Sequence, residues 1–412
     1  MQALIAIPEF REMAEYEADE ALTQDIAGIP ALLRVVATAK RAGVDEILLM
    51  WPRGLDHTIW EQCIASPILR GLKVIEFPSF AFDPRHKSSW AAIASLLDDE
   101  FLWLPWNWIT TKQFLAATKL SPVVSAKWAA PVRLTRELAL RGLRTGVTRS
   151  HHPRGVSVYS PEDVQKAEQF LVANSGKPSD GIYSRINRRL CWPAVRTLTH
   201  SPITPNCVTV AGLAVAIVAA LMYARGSYLN YLAGALLFFL SGLLDEMDGM
   251  LARIKFRESA FGTWFEGFVD NATYLLLFAG ITIGLYRELG AREVIYGIAL
   301  IAGCALSVVV IALQRKTITA GGQPNEYAGR MNRLLETDPS LISPMVRQIH
   351  IFIKKGVAIH YVLIFTVIGA LPFFLRLAAL AANLTWTLAL YFNWKFTSKR
   401  SVPAMEQAKL AA

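Results

Sequence analysis

Hydrophobic positions are distributed differently in the two halves of the chain. Before about residue 200, charged residues recur every few positions and the apolar runs stay short. Beyond it, six apolar stretches approach the roughly 20 residues that a bilayer-spanning helix needs. They cover residues 208–224, 228–244, 268–286, 294–313, 357–375 and 377–394. One such stretch fits the core helix of a soluble protein, but six in under 200 residues predict an all-α transmembrane bundle of six helices.

The first half of the chain has the pattern of a soluble α/β domain. Short apolar runs of strand length alternate with segments of helical periodicity, which predicts a mostly parallel sheet. We expect strands at residues 3–7, 46–51, 73–77 and 101–104, and helices at residues 29–42, 58–65, 88–97 and 160–173. Ser160 is the expected N-cap of the last helix, because acidic residues follow it in the first turn.

A linker and an amphipathic segment connect the two halves. Residues 176–181 read GKPSDG, which is typical of a linker, and residues 182–199 carry four arginines in an amphipathic pattern. Such a segment commonly lies on the membrane surface, although Arg185, Arg188 and Arg189 fit a solvated face as well. We therefore expect a cytoplasmic domain at residues 1–175, a linker and juxtamembrane helix at 176–200, a membrane domain at 201–398 and a cytoplasmic tail at 399–412.

Composition agrees with a membrane protein and excludes several other classes. Of the 412 residues, 53% are hydrophobic and 18% are charged, whereas soluble domains average about 45–50% and about 25%. The 26 glycines and 20 prolines are ordinary counts for this length, which excludes a collagen-like repeat. The four cysteines form no CxxC pair, so neither a zinc site nor a disulfide framework is expected.

Basic residues predict the orientation of the bundle. Lysine and arginine concentrate in the loops after the second and fourth apolar stretches and in the C-terminal tail, while the opposite loops hold Arg225, Arg287, Arg292 and Arg376. Because short basic loops stay in the cytoplasm, we expect a multi-pass protein of the inner, cytoplasmic membrane with both termini on the cytoplasmic side. A basic surface there also suits anionic lipid headgroups.

Acidic residues cluster where the second apolar stretch ends and the third begins. Asp245 and Asp248 are spaced i,i+3, and Glu266 and Asp270 are spaced i,i+4, so each pair shares one helix face. Two adjacent helices can thus direct four carboxylates at one point, where they repel one another unless cations lie between them. Oxygen ligands without His or Cys favour Mg²⁺, Mn²⁺ or Ca²⁺, and two such ions can hold a pyrophosphate.

Two glycines and an arginine accompany these acids. Gly249 and Gly262 have no side chain and so leave room for a phosphate to approach a helix. Arg253 can donate a pair of charge-assisted hydrogen bonds to phosphate oxygens. Taken singly, each residue fits a helix-end charge or a helix-packing glycine better. In combination with the four acids they predict a phosphate-transfer site.

The full spacing is D-x2-D-G-x2-A-R-x8-G-x3-D-x3-D, the signature of the CDP-alcohol phosphotransferase family, and residues 200–398 resemble a member of it. The matching positions are Asp245, Asp248, Gly249, Ala252, Arg253, Gly262 and Asp270. The one departure is Glu266, where the family has Asp. Glutamate keeps the charge and the oxygen ligands but adds a methylene, which bears on metal spacing and metal preference.

The resemblance implies a reaction and a set of roles. An alcohol would attack the phosphate that the donor's alcohol carries, CMP would leave, and the chain would serve phospholipid or polar-lipid biosynthesis. Two Mg²⁺ or Mn²⁺ ions would bind Asp245, Asp248, Glu266 and Asp270, and Asp270 would also be the general base. The implied CDP-binding residues are Asn206, Thr209, Gly249, Ala252, Arg253, Ser259 and Gly262. The expected partners are the CDP-linked donor, the alcohol acceptor, the bilayer and a second copy of the chain, with no nucleic acid.

The acceptor is indicated less clearly than the donor. Family members bind phosphorylated acceptors through basic residues near the cytoplasmic ends of later spans, and the candidates here are Arg315, Lys316, Lys354 and Lys355. The positive-inside rule explains the same residues equally well. An inositol phosphate or a glycerol phosphate fits such a site.

The front domain resembles a sugar-nucleotide cytidylyltransferase, most clearly at residues 27–51, and its junction resembles that of fused inositol-phosphate cytidylyltransferase/phosphotransferase proteins. Residues 8–13, however, lack the Gly-rich loop that cradles a triphosphate, and Asn107 stands where a metal-binding Asp is expected. We therefore predict a degenerate nucleotidyltransferase-like domain.

Two alternatives to the enzyme compete. A transporter that relays cations through intramembrane acids would place them near the span midpoints, whereas these lie at span ends. A catalytically inactive homologue that acts as a membrane scaffold is favoured only by Glu266 and the degenerate front domain.

Overall fold

The computed structural model describes residues 1–7, 20–52, 55–78, 82, 84, 86–121, 123–124, 130–141, 144–145, 154–176, 181–318 and 355–400. Contacts divide these residues into two compact units. The α/β unit lies within Met1–Lys177, Trp192–Ile203 and Met250–Glu258, and the helical unit within Pro178–Cys191, Thr204–Gly249 and Ser259–Ala412.

The α/β unit is built on a five-stranded sheet. The strands of the unit are β1 Gln2–Ala6, β2 Asp25–Ile26, β3 Ile29–Pro30, β4 Glu46–Trp51, β5 Lys73–Pro78, β6 Glu100–Trp103, β7 Trp108–Ile109, β8 Val123–Val124, β9 Val132–Thr135, β10 Arg144–Thr145 and β11 Val156–Ser157. The large sheet has the order β5-β4-β1-β6-β9. The first four strands are parallel and β9 runs antiparallel to β6, so the predicted, mostly parallel sheet is confirmed.

The burial of the central strands explains why the sequence pattern predicted them. β1 (QALIA) and β4 (EILLMW) are buried almost throughout, as in parallel sheets whose two faces are both covered. In their register Gln2 pairs with Glu46 and, on the other side, with Phe101. The edge strand β9 was not predicted, because its four residues only alternate between buried and half-buried positions.

The described residues of the α/β unit form six helices that follow or flank these strands. They are α1 Ala31–Arg41, α2 Thr58–Ile64, α3 Lys87–Ile93, α4 Lys112–Ala116, α5 Arg136–Arg141 and α6 Pro161–Ala173, with 3₁₀ turns at Pro67–Leu69 and Ala94–Leu96. The prediction of a helix from residue 29 was wrong by two residues, because Ile29 and Pro30 form strand β3 of a short hairpin. Ser160 caps α6 as predicted, accepting a hydrogen bond from the Asp163 amide at 3.4 Å.

The remaining helices of the described chain are α7 Ile182–Thr199, α8 Pro205–Arg225, α9 Tyr228–Ile254, α10 Ala260–Leu289, α11 Arg292–Ile318, α12 Lys355–Val367 and α13 Leu371–Arg400. Within the described ranges, five helices are long and apolar enough to cross a membrane: α8, α9, α10, α11 and α13. A sixth apolar helix, within α12, is shorter, at Val357–Val367.

The boundary between the last two helices corrects the sequence analysis. A span at residues 357–375 was predicted, but α12 ends at Val367 and α13 begins at Leu371. Gly369 has φ +71°, the Gly369 amide donates to Thr366 O at 3.0 Å, and the Ala370 amide donates to Phe365 O at 2.8 Å. These bonds form a Schellman motif, which terminates a helix with a left-handed glycine.

Small residues let α8 and α10 approach each other closely. A Cβ at Gly280 would lie 2.3 Å from the Ala220 carbonyl oxygen, and a Cβ at Gly284 would lie 2.1 Å from that of Tyr223. Membrane helices use such residues because packing, rather than the hydrophobic effect, drives their association. Ser241 of α9 donates to Gly212 O of α8 at 2.9 Å, so α8 packs on α9 as well as on α10.

Candidate functional site

Three further carboxylates of α9 and α10 come within electrostatic range of the buried Asp248. Asp248 lies on α9 and is only 3% exposed. The charges of Asp245, on the same helix, and of Glu266 and Asp270, on α10, all act on it. The spacing argument predicted this meeting of two helix faces. The roles of the four residues in catalysis and metal binding stay predictions.

Thr209 connects the first membrane helix to this cluster. Its hydroxyl donates to Asp248 Oδ2 at 2.6 Å and is buried. The start of α8 fixes its position, since the Thr204 side chain caps the helix by accepting from the Cys207 amide at 3.2 Å. A hydrogen bond to a buried carboxylate stabilises its charged form.

The starts of α8 and α10 lie beside each other. Ser259 caps α10, its hydroxyl accepting from the Gly262 amide at 2.9 Å. A Cβ at Gly262 would lie 3.0 Å from Ser259 Oγ and 3.6 Å from Asn206 Oδ1. Three predicted CDP-binding residues, Asn206, Ser259 and Gly262, are therefore neighbours. Gly249 follows Asp248 directly on α9.

Ala252 and Arg253 occupy the last turn of α9, in a segment that belongs to the α/β unit. Arg253 Nε donates to the carbonyl oxygen of Ser175, and its side chain lines a cavity of that unit. Its predicted contact with the donor phosphate stays a prediction.

The predicted acceptor residues are only partly described. Arg315 lies near the end of α11, half-buried. Lys316 lies in the last turn of α11 and Lys355 at the start of α12. The structure does not describe the side chains of these two lysines. Lys354 lies outside the described residues, as do residues 8–13, where a Gly-rich loop was sought.

Asn107 has a structural contact in the α/β unit. It is 2% exposed, and its Nδ2 donates to Val158 O at 3.1 Å. The Val158 amide donates back to the Asn107 carbonyl at 3.1 Å. These bonds tie the chain after β6 to the segment after β11, and the degeneracy of this domain stays a prediction.

One ion pair beside the acids was missed by sequence reasoning. Arg188 Nε of α7 lies 2.9 Å from Glu246 Oε2 of α9, and both side chains are about nine-tenths buried. Arg188 is therefore not on a solvated face, and the membrane-surface position of α7 stays a prediction. The sequence did contain one signal: Glu246 is a carboxylate near the end of an apolar helix, and the family signature assigns it no role.

The donor set suits a hard divalent cation. Aspartate and glutamate oxygens are the ligands that Mg²⁺ and Mn²⁺ prefer, and a buried acid beside three others is costly unless cations compensate their charge. Across the described residues, no three His, Cys, Asp or Glu side chains form a ready-made metal cluster. The chemistry of the residues fits such an ion.

Residues 202–397 match the family model described as CDP-alcohol phosphatidyltransferase. This part of the chain is similar to the members of that family. The acids, glycines and Arg253 of the signature all lie within the matched range, and so does Glu266.

Curated relatives of this chain include proteins that are named bifunctional. The "Bifunctional IPC transferase and DIPP synthase" of Aquifex aeolicus is 23% identical over 242 residues, 58% of this chain and 50% of that protein. Its namesake in Rubrobacter xylanophilus is 30% identical over 173 residues, 42% of this chain and 38% of that protein. The "Archaetidylinositol phosphate synthase" of Methanothermobacter thermautotrophicus is 38% identical over 82 residues, 20% of this chain and 40% of that protein. The chain thus spans half or less of the length of these relatives.

Proposed function

We propose that this chain is an integral-membrane transferase that moves a substituted phosphate group from a CDP-linked donor to an alcohol and releases CMP. The observation that carries the proposal is the buried Asp248, hydrogen-bonded to Thr209, with three further carboxylates in electrostatic range. Four acids at the ends of apolar helices are expensive, which favours a function over an accident of sequence.

In this reaction Asp270 is the general base. The acceptor oxygen forms a bond to the phosphorus that carries the donor's alcohol, and the bond from this phosphorus to the bridging oxygen of CMP breaks. The hydroxyl proton passes to the Asp270 carboxylate, which must lie within hydrogen-bond reach of it. The electron pair of the broken bond leaves with CMP.

The other site residues bind and orient. Asp245, Asp248 and Glu266 would hold two Mg²⁺ or Mn²⁺ ions together with Asp270, and Thr209 fixes the Asp248 carboxylate. Such ions, when bound, neutralise the pyrophosphate and stabilise charge that develops at phosphorus. Asn206, Ser259 and Gly262 form a wall for the cytidine diphosphate at the starts of α8 and α10, with Thr209, Gly249, Ala252 and Arg253 as its further contacts.

For the substrates, we infer a phosphorylated cyclitol acceptor. A relative named archaetidylinositol phosphate synthase supports an inositol phosphate, and Arg315, Lys316, Lys354 and Lys355 are the basic residues offered for its phosphate. The donor is a CDP-linked lipid or CDP-alcohol. We further propose that the site faces the cytoplasm, where the water-soluble CMP is released, and that the protein is a homodimer.

The test is CMP release by the purified protein in detergent with Mg²⁺ or Mn²⁺. CDP-diacylglycerol and CDP-inositol are each offered with inositol, inositol phosphate, glycerol phosphate and serine. We expect release with inositol phosphate, and no release by Asp270→Asn. Asp98→Asn, which removes an exposed charge of the α/β unit, is the matched control and keeps full activity.

Two results would overturn the proposal. Equal CMP release by Asp270→Asn excludes this residue as the base. No release from any pair, while donor and metal still bind, favours the inactive membrane scaffold; Glu266→Asp then shows whether the extra methylene of Glu266 causes the inactivity.

A further inference from the structure

A cavity of about 50 Å³ lies within the α/β unit and has an unusual charge. Its described lining includes four cationic side chains and one acid: Arg34, Arg41, Lys112, Arg253 and Glu258. A volume of this size accommodates more than one water-sized group, and so a compact anion. The acids of the phosphatidyltransferase signature are not among the lining residues.

Arg34 is the deepest of the cations. It is 1% exposed, and its guanidinium donates to Ile26 O at 2.9 Å, Ile254 O at 2.9 Å and Ala27 O at 3.3 Å. Carbonyl groups satisfy its hydrogen bonds but do not neutralise its charge. Burial lowers the pKa of Arg34 to about 10, so the side chain is still charged at neutral pH.

Arg41 and Lys112 lie at the more exposed side of the cavity and share one carboxylate. Arg41 Nη1 lies 2.8 Å from Glu258 Oε2, and Lys112 Nζ lies 3.3 Å from Glu258 Oε1. Glu258 therefore balances one positive charge of the four. The side chains of Arg41 and Lys112 are 31% and 41% exposed, so an incoming anion can reach them.

Two further acids act on Arg34 from outside the cavity, Asp25 and Glu168. Glu168 is itself engaged, since its Oε1 accepts from His200 Nε2 at 2.8 Å and from the Ala27 amide at 3.0 Å. Neither acid lines the cavity, so the positive excess at its wall persists.

Thr111 adds a polar group without a partner. It lines the same cavity, and its hydroxyl is buried with no hydrogen-bond partner in the described part of the chain. A buried hydroxyl left unsatisfied costs free energy. A ligand with acceptor oxygens in the cavity would remove that cost.

We propose that this cavity binds a phosphate group, carried by a soluble phosphate compound or by a lipid headgroup. The guanidinium group of an arginine can donate two hydrogen bonds to the oxygens of one phosphate group. Such charge-assisted hydrogen bonds are about twice as strong as hydrogen bonds between neutral groups. Arg253 is shared between this cavity and the residues proposed to bind the CDP-linked donor, whereas none of the acids of the signature lines the cavity. Its occupation would hold α1, the start of α4 and the segment after α9 together.

The experiment titrates inorganic phosphate into the full chain in neutral detergent, by calorimetry, at constant ionic strength made up with chloride. We expect one phosphate per chain. Arg41→Gln and Lys112→Gln should each weaken binding about tenfold, because each removes a charge-assisted contact. The matched controls are Arg136→Gln, whose arginine pairs with Asp99 at 2.5 Å, and Lys166→Gln, whose lysine pairs with Asp163 at 3.1 Å. Both should bind phosphate as the unmodified chain does.

Glu258→Gln separates binding from structure. It removes the one negative charge of the lining, so phosphate should bind several-fold more tightly, even though the loss of two ion pairs lowers the unfolding temperature. A purely structural cluster predicts the lower temperature and no tighter binding. Asp270→Asn should leave phosphate binding unchanged, since that residue belongs to the other unit.

Three outcomes overturn the proposal: no saturable binding in the millimolar range, equal weakening by the control variants, or displacement of the phosphate by CMP. Nanodiscs distinguish the two sources of phosphate. If added phosphate no longer binds in phosphatidylglycerol nanodiscs but still binds in phosphatidylcholine nanodiscs, a lipid headgroup occupies the cavity. If phosphate binds in both kinds of nanodisc, the ligand is soluble.

Discussion

Thr209 places its hydroxyl 2.6 Å from Asp248, a carboxylate with 3% exposure. We expect Thr209→Val to lower CMP release at least tenfold, because a hydrogen bond to a buried charge contributes about 1.5–3 kcal/mol. The measurement is kcat and KM for the donor, together with the unfolding temperature.

Two variants control this prediction. Thr209→Ser keeps the hydroxyl and should retain most activity. Thr282→Val removes a buried hydroxyl that bonds only to Phe278 O of its own helix, at 2.6 Å, and should leave kcat unchanged. Equal losses in Thr209→Val and Thr282→Val would mean that only packing is affected.

Asp248 also allows a test that does not depend on turnover. Without cations the four acids repel, so Asp248→Asn should raise the unfolding temperature in EDTA. With Mg²⁺ or Mn²⁺ the unmodified chain should be stabilised, by RT ln(1 + [L]/Kd) for a ligand that binds only the folded state. Asp248→Asn should lose most of this gain. A metal-induced shift that is the same in both proteins would contradict the assignment of Asp248 as a ligand.

At the scale of single residues, the sequence predicts which side chains lie together where their spacing along one helix determines it. The i,i+3 and i,i+4 pairs of acids predicted the cluster, because each pair lies on one helix. The partner of Glu246 was out of reach, since Arg188 is 58 residues away and meets it only when α7 packs on α9. The same holds for Arg253 and Ser175, which are 78 residues apart.

At the scale of elements, α7 packs on α9 beside the acids. Besides the Arg188–Glu246 pair, Cys191 Sγ lies 3.5 Å from Leu243 O, one turn along on both helices. Leu243 and Glu246 share one face of α9, whereas Asp245 and Asp248 face another direction. The amphipathic helix therefore supports the back of the helix that carries the acids.

Breaking this ion pair should destabilise the helical unit. We expect Arg188→Gln to cost about 3 kcal/mol or more in unfolding free energy, because it leaves a buried carboxylate uncompensated. Arg189→Gln, an exposed neighbour on the same helix, is the matched control. The charge swap Arg188→Glu with Glu246→Arg should recover part of the loss. Equal unfolding curves for Arg188→Gln and Arg189→Gln would show that the pair contributes nothing.

Elements were predictable wherever a long, uniform pattern continued. β1 and β4 were placed correctly to within a residue, and the predicted spans lie inside α8 to α11, although α9 ends ten residues later and α10 begins eight residues earlier than predicted. β9 and the α12–α13 boundary were not predicted. The four residues of β9, alternately buried and half-buried, are too few to form a clear pattern. The turn at Gly369 lies inside an uninterrupted apolar run. In that run hydrophobicity cannot reveal the break, and the left-handed glycine followed by Pro372 was the usable signal.

At the scale of the whole molecule, charge asymmetry predicts the topology. α10 has 30 residues and rises about 45 Å at 1.5 Å per residue, enough to cross the bilayer. Its first residues follow the basic segment at Lys255 and Arg257, and its last precede Gly290 and Ala291. The two ends of α10 should therefore face opposite compartments, with the acids at the cytoplasmic end.

Cysteine labelling tests this orientation. Ala194 and Ala291 are both exposed alanines, the first in α7 and the second just before α11. In intact cells, a membrane-impermeant maleimide should label Ala291→Cys and leave Ala194→Cys and the unsubstituted chain unlabelled. After permeabilisation Ala194→Cys should gain label over the unsubstituted chain, whose exposed Cys207 sets the background. Labelling of Ala194→Cys in intact cells would reverse the orientation and place CMP release outside, where a reaction fed by cytoplasmic nucleotides cannot run.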